Sequence, residues 1–149
     1  MASARVDYKR AAAAGALGAA LWAAQQPLDM RVFGYRYDDV EMLGQLITRG
    51  PSSRVIGWCL HMAAGASFGI MYARYVRPRS PFGGVTSGVI AAVTETVVLW
   101  PAVPLHDRWH PARPELPALA GEPRAFAQAI WRHVIYGAVL GGIVGRRTS

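Results

Sequence analysis

The sequence predicts an all-α, polytopic membrane protein: four transmembrane helices arranged as two tandem helical hairpins, with a short interfacial amphipathic helix between the first two. Three observations lead there. Over 149 residues the apolar fraction is 52%, the charged fraction only 17% and the mean hydropathy +0.18. Charges are nearly absent from four stretches and crowded between them, the pattern of a chain solvated partly by lipid and partly by water. Each stretch is close to the ~20 residues with which an α-helix crosses ~30 Å of hydrocarbon.

The expected spans are residues 11–28, 55–73, 82–103 and 125–145 within a single membrane domain, 1–149, joined by outer loops 29–54 and 104–124. The first is the least apolar, because Ala and Gly dominate its start and Gln25, Gln26 and Pro27 crowd its end. The third must end or kink at Pro101 and Pro104, since proline lacks a backbone donor and clashes with the preceding turn. A basic segment before an Ala-rich stretch also suits a signal peptide, but the residues around Trp22 to Gln26 make a poor small-x-small cleavage site. The expectation is therefore a retained first span. Cys59, the single cysteine, excludes an intramolecular disulfide.

Orientation follows from basic residues beside the spans, which short loops retain in the cytoplasm. One side carries Arg5, Lys9, Arg10, Arg74, Arg77, Arg79, Arg146 and Arg147 against one acid, Asp7; on the other, arginines and acids nearly balance. Both termini are expected in the cytoplasm, and the Ala-, Gly- and Arg-rich usage suits the inner membrane of a high-GC bacterium. Topology and anionic headgroups account for most of the net charge of +7. With no basic face carrying base-stacking aromatics, a nucleic-acid partner is not expected.

In the first outer loop Asp38 and Glu41 resemble a capping box, and Val40, Leu43, Leu46 and Ile47 then share one face before Gly50 and Pro51, predicting an amphipathic helix over about residues 39–49 at the membrane surface. The second loop is rich in proline and is expected to be irregular. His106, Asp107 and His110 within it would make metal ligands if helical, and are otherwise solvated.

Ionisable groups in lipid are costly, so His61, Glu95, Arg132 and His133 carry the functional information. At 1.5 Å per residue, His61, Glu95 and His133 all fall about 10 Å below the outer boundary. His61, Gly65 and Gly69 form H-x-x-x-G-x-x-x-G in the second span, and His133, Gly137 and Gly141 repeat it in the fourth. The repetition predicts two hairpins related by a pseudo-two-fold axis along the membrane normal. Ser87, Ala91 and Glu95 share a face of the third span. Arg132 points away from His133 and is assigned to packing or snorkelling. Trp22, Trp58, Trp100 and Trp131 read as an aromatic belt, with Tyr72 and Tyr75 at the inner end of the second span. Gly15, Gly18, Gly84 and Gly88 offer small faces for helix packing or for self-association, so the expected partners are the lipid bilayer and a homo-oligomer or larger membrane complex.

A shared polar pocket of His61, Glu95 and His133 supports three readings. The first is a proton or small-ligand site, for binding or transport, with Gln25, Gln26, Asp29, His106, Asp107 and His110 at its mouth. In the second, His61 and His133 are axial ligands of haem b, with Gly65 and Gly137 making room for the macrocycle. The third is a non-catalytic accessory or scaffold subunit whose polar groups only lock the bundle. Two histidines and a carboxylate would also serve as a metal shell. No Ser-His-Asp order, phosphate loop or CxxC pair favours an enzyme.

Overall fold

A computed structural model of the protein describes residues 7–145, and Arg5, Arg146 and Arg147 of the topology argument lie outside the described residues. Helix α1 spans Tyr8–Phe33 and begins where the Asp7 carboxylate accepts the Arg10 amide at 3.0 Å. It runs through Pro27, five residues beyond the expected end at 28, and stops at Gly34, whose φ of 65° needs a residue without a Cβ. Helix α2, Asp39–Gln45, is capped by Asp38, which accepts the Glu41 amide at 2.9 Å as the capping pattern predicts. It is shorter than expected: Val40 is fully buried against α3, while Leu46 and Ile47 lie beyond the helix and stay exposed.

Helix α3, Ser53–Met71, continues into a π-helical turn over Tyr72–Val76, which rotates Tyr72 and Ala73 into the core. Tyr72 is therefore core rather than a boundary residue, and Tyr75 remains exposed. Helix α4, Gly84–Leu99, passes through a 3₁₀ turn at Trp100–Ala102 into α5, Val103–Trp109. The proline-rich loop is thus partly helical. Pro101 and Pro104 sit in first turns, where a missing amide costs nothing, so they start short helices as well as ending α4. Helix α6, Pro123–Val144, has Pro123 at its first position and Glu122 as its cap. No strand occurs among the described residues.

The long helices line up in the order α3, α1, α6, α4, with α2 laid across α3. Glycine sets both outer pairings: Gly15, Gly65 and Gly69 bring α1 and α3 backbone to backbone, and Gly84, Gly88, Gly137 and Gly141 do the same for α4 and α6. These glycines serve packing within the chain. The two H-x-x-x-G-x-x-x-G segments are therefore equivalent inside their hairpins. The expected two-fold axis fails between them, because α1 packs on α6 while their counterparts α4 and α3 leave a cleft of about 520 Å³. The reason lies in the side chains: Arg10 donates to the Ile143 carbonyl, Tyr136 packs on Gly18 and Arg132 pairs with Asp29, all joining α1 to α6.

Two helical segments, Ser53–Val76 and Gly84–Trp109, are long and apolar enough to cross a membrane. Both are mostly exposed, with 28% and 22% of their apolar windows buried, so they are not core helices sheltered from their surroundings.

Candidate functional site

The strongest polar feature lies where α1, α6 and the start of α2 meet. Arg132, assigned from sequence to packing or snorkelling, does not snorkel: it is fully buried and holds a carboxylate on each side. Its Nε and Nη2 donate to Oδ2 and Oδ1 of Asp29, each at 2.6 Å, a two-pronged pairing that suits the planar guanidinium. Its Nη1 donates to Oδ2 of Asp39 at 2.7 Å, and Nη2 also reaches the Tyr37 carbonyl at 2.7 Å. The guanidinium stacks 4.7 Å from the centre of the Tyr37 ring. Snorkelling fails because partners lie within the bundle, which removes any gain from reaching its surface.

Amide side chains complete this network. Gln25 and Gln128 donate to Asp29 at 2.6 and 2.9 Å. Gln26 accepts the Asp39 amide at 3.0 Å and donates to Asp38 at 3.1 Å, tying the start of α2 to α1. Burial, and next the negative charge of Asp39, push the Tyr37 hydroxyl well above its usual pKa. Of the predicted mouth residues, Gln25, Gln26 and Asp29 belong here. Asp39, Tyr37 and Gln128 were missed, and their signal was present only as polar residues four apart, Gln128 and Arg132, on one face of α6.

Below this network lies a cavity of about 150 Å³ lined by His61, Glu95 and His133 together with Trp22, Asp39 and Tyr136. The three residues placed at one depth by sequence thus border one space. Trp22 stands between the imidazoles, its ring centre 5.2 Å from His61 and 4.4 Å from His133, and its Nε1 donates to Asp39 at 3.0 Å. Trp22 is thereby removed from the expected aromatic belt: at 8% exposure it is part of the site. Trp131, by contrast, is half exposed and donates to Gln25.

The histidines are held differently. His61, almost buried, places Nε2 3.1 Å from the Ala19 carbonyl and so carries its proton there. His133 has Nδ1 2.7 Å from the Ala129 carbonyl and Nε2 2.9 Å from Oε2 of Glu95. A carbonyl only accepts, so Nδ1 is protonated, and the Nε2 to Glu95 contact needs a second proton on one partner or the other. His133 and Glu95 therefore share one proton beyond those of a neutral imidazole and a bare carboxylate. Glu95 is partly exposed and lines both the cavity and the cleft beside it.

The haem reading does not fit this geometry. Both nitrogens of His133 and one of His61 are engaged, Trp22 occupies the space between them, and about 150 Å³ is a volume suited to a benzene-sized guest, not a porphyrin. Among the described residues no group of three or more His, Cys, Asp or Glu could hold a metal ion, which removes support for metal at His61, Glu95 and His133 and at His106, Asp107 and His110.

The latter three are neither solvated nor at the mouth of the site. They border a separate cavity of about 160 Å³. Oδ2 of Asp107 accepts the Leu119 and Ala120 amides at 2.8 and 2.7 Å and closes the loop. His110 reaches the Met42 carbonyl through Nε2 at 3.0 Å and accepts the Ala112 amide on Nδ1 at 3.1 Å, fastening the loop to α2. Burial lowers its pKa.

No known family model matches this chain, and no curated protein or solved structure does so either.

Proposed function

We propose that this is a small integral membrane protein of the bacterial inner membrane whose four long helices all cross the bilayer, and whose His133–Glu95 pair binds and releases a proton at the cavity shared with His61. The observation that carries the proton site is His133 itself, with acceptors facing both ring nitrogens.

Crossing by α1 and α6 is supported by where their polar groups point. Hydropathy averages all sides of a helix, whereas lipid meets only the outside. Gln26, Asp29, Gln128 and Arg132 are at most 2% exposed, while Leu17, Leu21, Leu28 and Val32 of α1 face outward. With 26 and 22 residues, the two helices measure about 39 and 33 Å, enough to span the hydrocarbon. An aqueous monomer rarely exposes so continuous an apolar surface. The basic side, with Arg74, Arg77 and Arg79, faces the cytoplasm in this reading.

The chemistry is proton exchange. When Glu95 holds the proton it donates to Nε2; when Nε2 holds it, an imidazolium faces a carboxylate across the same 2.9 Å contact. In the purified protein, reconstituted into vesicles containing a pH-sensitive dye, a potassium diffusion potential should drive proton uptake. Glu95→Gln should reduce that rate at least tenfold with the fold intact, and an unchanged rate would overturn the proposal. The second reading, a purely structural subunit, is favoured by the full pairing of Arg132; it predicts no flux from either protein.

A further inference from the structure

The cleft between α3 and α4 adjoins the polar cavity, with Phe68 and Glu95 lining both. The cleft is almost wholly apolar, walled by Val76 of the π turn and by Ile90, Ala91 and Val98 of α4. One polar atom in it lacks a partner: the Ser87 hydroxyl, on a residue 2% exposed and two turns below Glu95, makes no hydrogen bond. The cavity at the upper end of the cleft is acidic. Asp39 and Glu95 line it and Asp29 and Arg132 lie in the adjoining network, so three negative charges, one positive charge and the one proton of the His133–Glu95 pair leave an excess of one negative charge.

The hydrogen-bonding groups are equally one-sided. Trp22 and Arg132 already donate to Asp39, Tyr136 donates to the Gly65 carbonyl at 2.6 Å and His61 to Ala19, so acceptors remain and donors do not. The aromatic faces of Trp22, Phe68 and Tyr136 close the space. A group rich in N–H donors, positively charged and small, satisfies all of these; a carboxylate, phosphate or neutral carbonyl head satisfies none.

We infer that the cavity and cleft together take a single-chain lipophilic amine, its ammonium head at Glu95 and Asp39 and its alkyl chain lying between α3 and α4. This rests on the proton-exchange reading and names its ligand. The head and the shared proton compete for Glu95: the ammonium enters with its charge, the proton leaves the pair for water, and the charge of the site is conserved. Around that exchange Asp39 and Asp29 are held by Arg132 and His61 by Ala19, so the proton comes from the Glu95–His133 pair; Arg79 lines the same cleft beside Ser80 and Phe82.

The test uses the whole chain in lipid nanodiscs with decylammonium as the probe and decanol and decanoate as matched controls, read by calorimetry and by proton release in weak buffer. The expected result is one proton released per amine bound while the pair holds its proton, affinity rising with pH under those conditions, and at least tenfold weaker binding of both controls. Thr94→Trp, at an exposed cleft position, should block the amine while His133 still titrates. Equal binding of decanol, or binding unaffected by Thr94→Trp, overturns the inference. If His133 and Glu95 exchange their proton but no amine binds, only the ligand is wrong; if the pair does not titrate, the proton site falls as well.

Discussion

Arg132 of α6 grips Asp29 of α1 through two parallel hydrogen bonds of 2.6 Å, joining residues 103 positions apart at the centre of the bundle. A charge pair this deeply buried stabilises the fold only while both members are present, because either one alone would be an uncompensated charge.

Arg132→Met and Asp29→Asn should therefore each lower stability by about 3–5 kcal/mol, seen as a fall in the midpoint of thermal unfolding in detergent. Combining Arg132→Met with Asp29→Asn should cost less than the sum of the single changes. Additive losses would mean that the two groups do not interact as the geometry requires.

Glycine contacts give a second prediction. A Cβ on Gly88 would overlap the Gly137 carbonyl, whereas one on Gly83 would meet nothing within 4 Å. Gly88→Ala should cost about 1–3 kcal/mol by forcing α4 and α6 apart, and Gly83→Ala should stay within about 0.5 kcal/mol of the parent. Equal effects in unfolding assays would contradict the close helix crossing.

His110 supplies a pH dependence. The neutral ring donates from Nε2 and accepts on Nδ1, and burial depresses its folded-state pKa below the ordinary value of 6.5. The unfolded chain thus binds the proton more readily. The docking of the 110–112 segment on α2 is fully present above pH about 6.5 and weakens as pH falls below it. The protection of the Ala112 amide relative to its intrinsic exchange rate should fall on acidification in the parent, and that fall should vanish in His110→Gln.

Membrane crossing can be read from cysteine chemistry. Cys59 is exposed on α3, so the proposed topology puts it in lipid, where it should resist a membrane-impermeant maleimide. In a Cys59→Ser background, Glu115→Cys should label in intact spheroplasts and Ser80→Cys only after permeabilisation. Labelling of both from one side would refute the four-span topology.

The helices, and the meeting of His61, Glu95 and His133 at one cavity, were legible in the sequence because both follow from helical period and rise, which are local. The role of Arg132 was not: its neighbours along α6 say nothing of Asp29 and Asp39, which reach it from α1 and α2. Trp22 was misread for the same reason. A tryptophan near a span end suits an interface on composition alone, and only the packing of α1 between α3 and α6 turns it inward between two imidazoles. The two-fold relation failed because the repeated glycines specify each hairpin internally and carry no information about how hairpins meet.

The account depends most on the proton between His133 and Glu95. In protein labelled with ¹⁵N at its four histidines, magic-angle NMR across pH in a lipid bilayer should show His133 Nδ1 protonated throughout and Nε2 titrating in a transition that Glu95→Gln shifts or removes. A His133 that titrates like a free imidazole and ignores Glu95→Gln would contradict it.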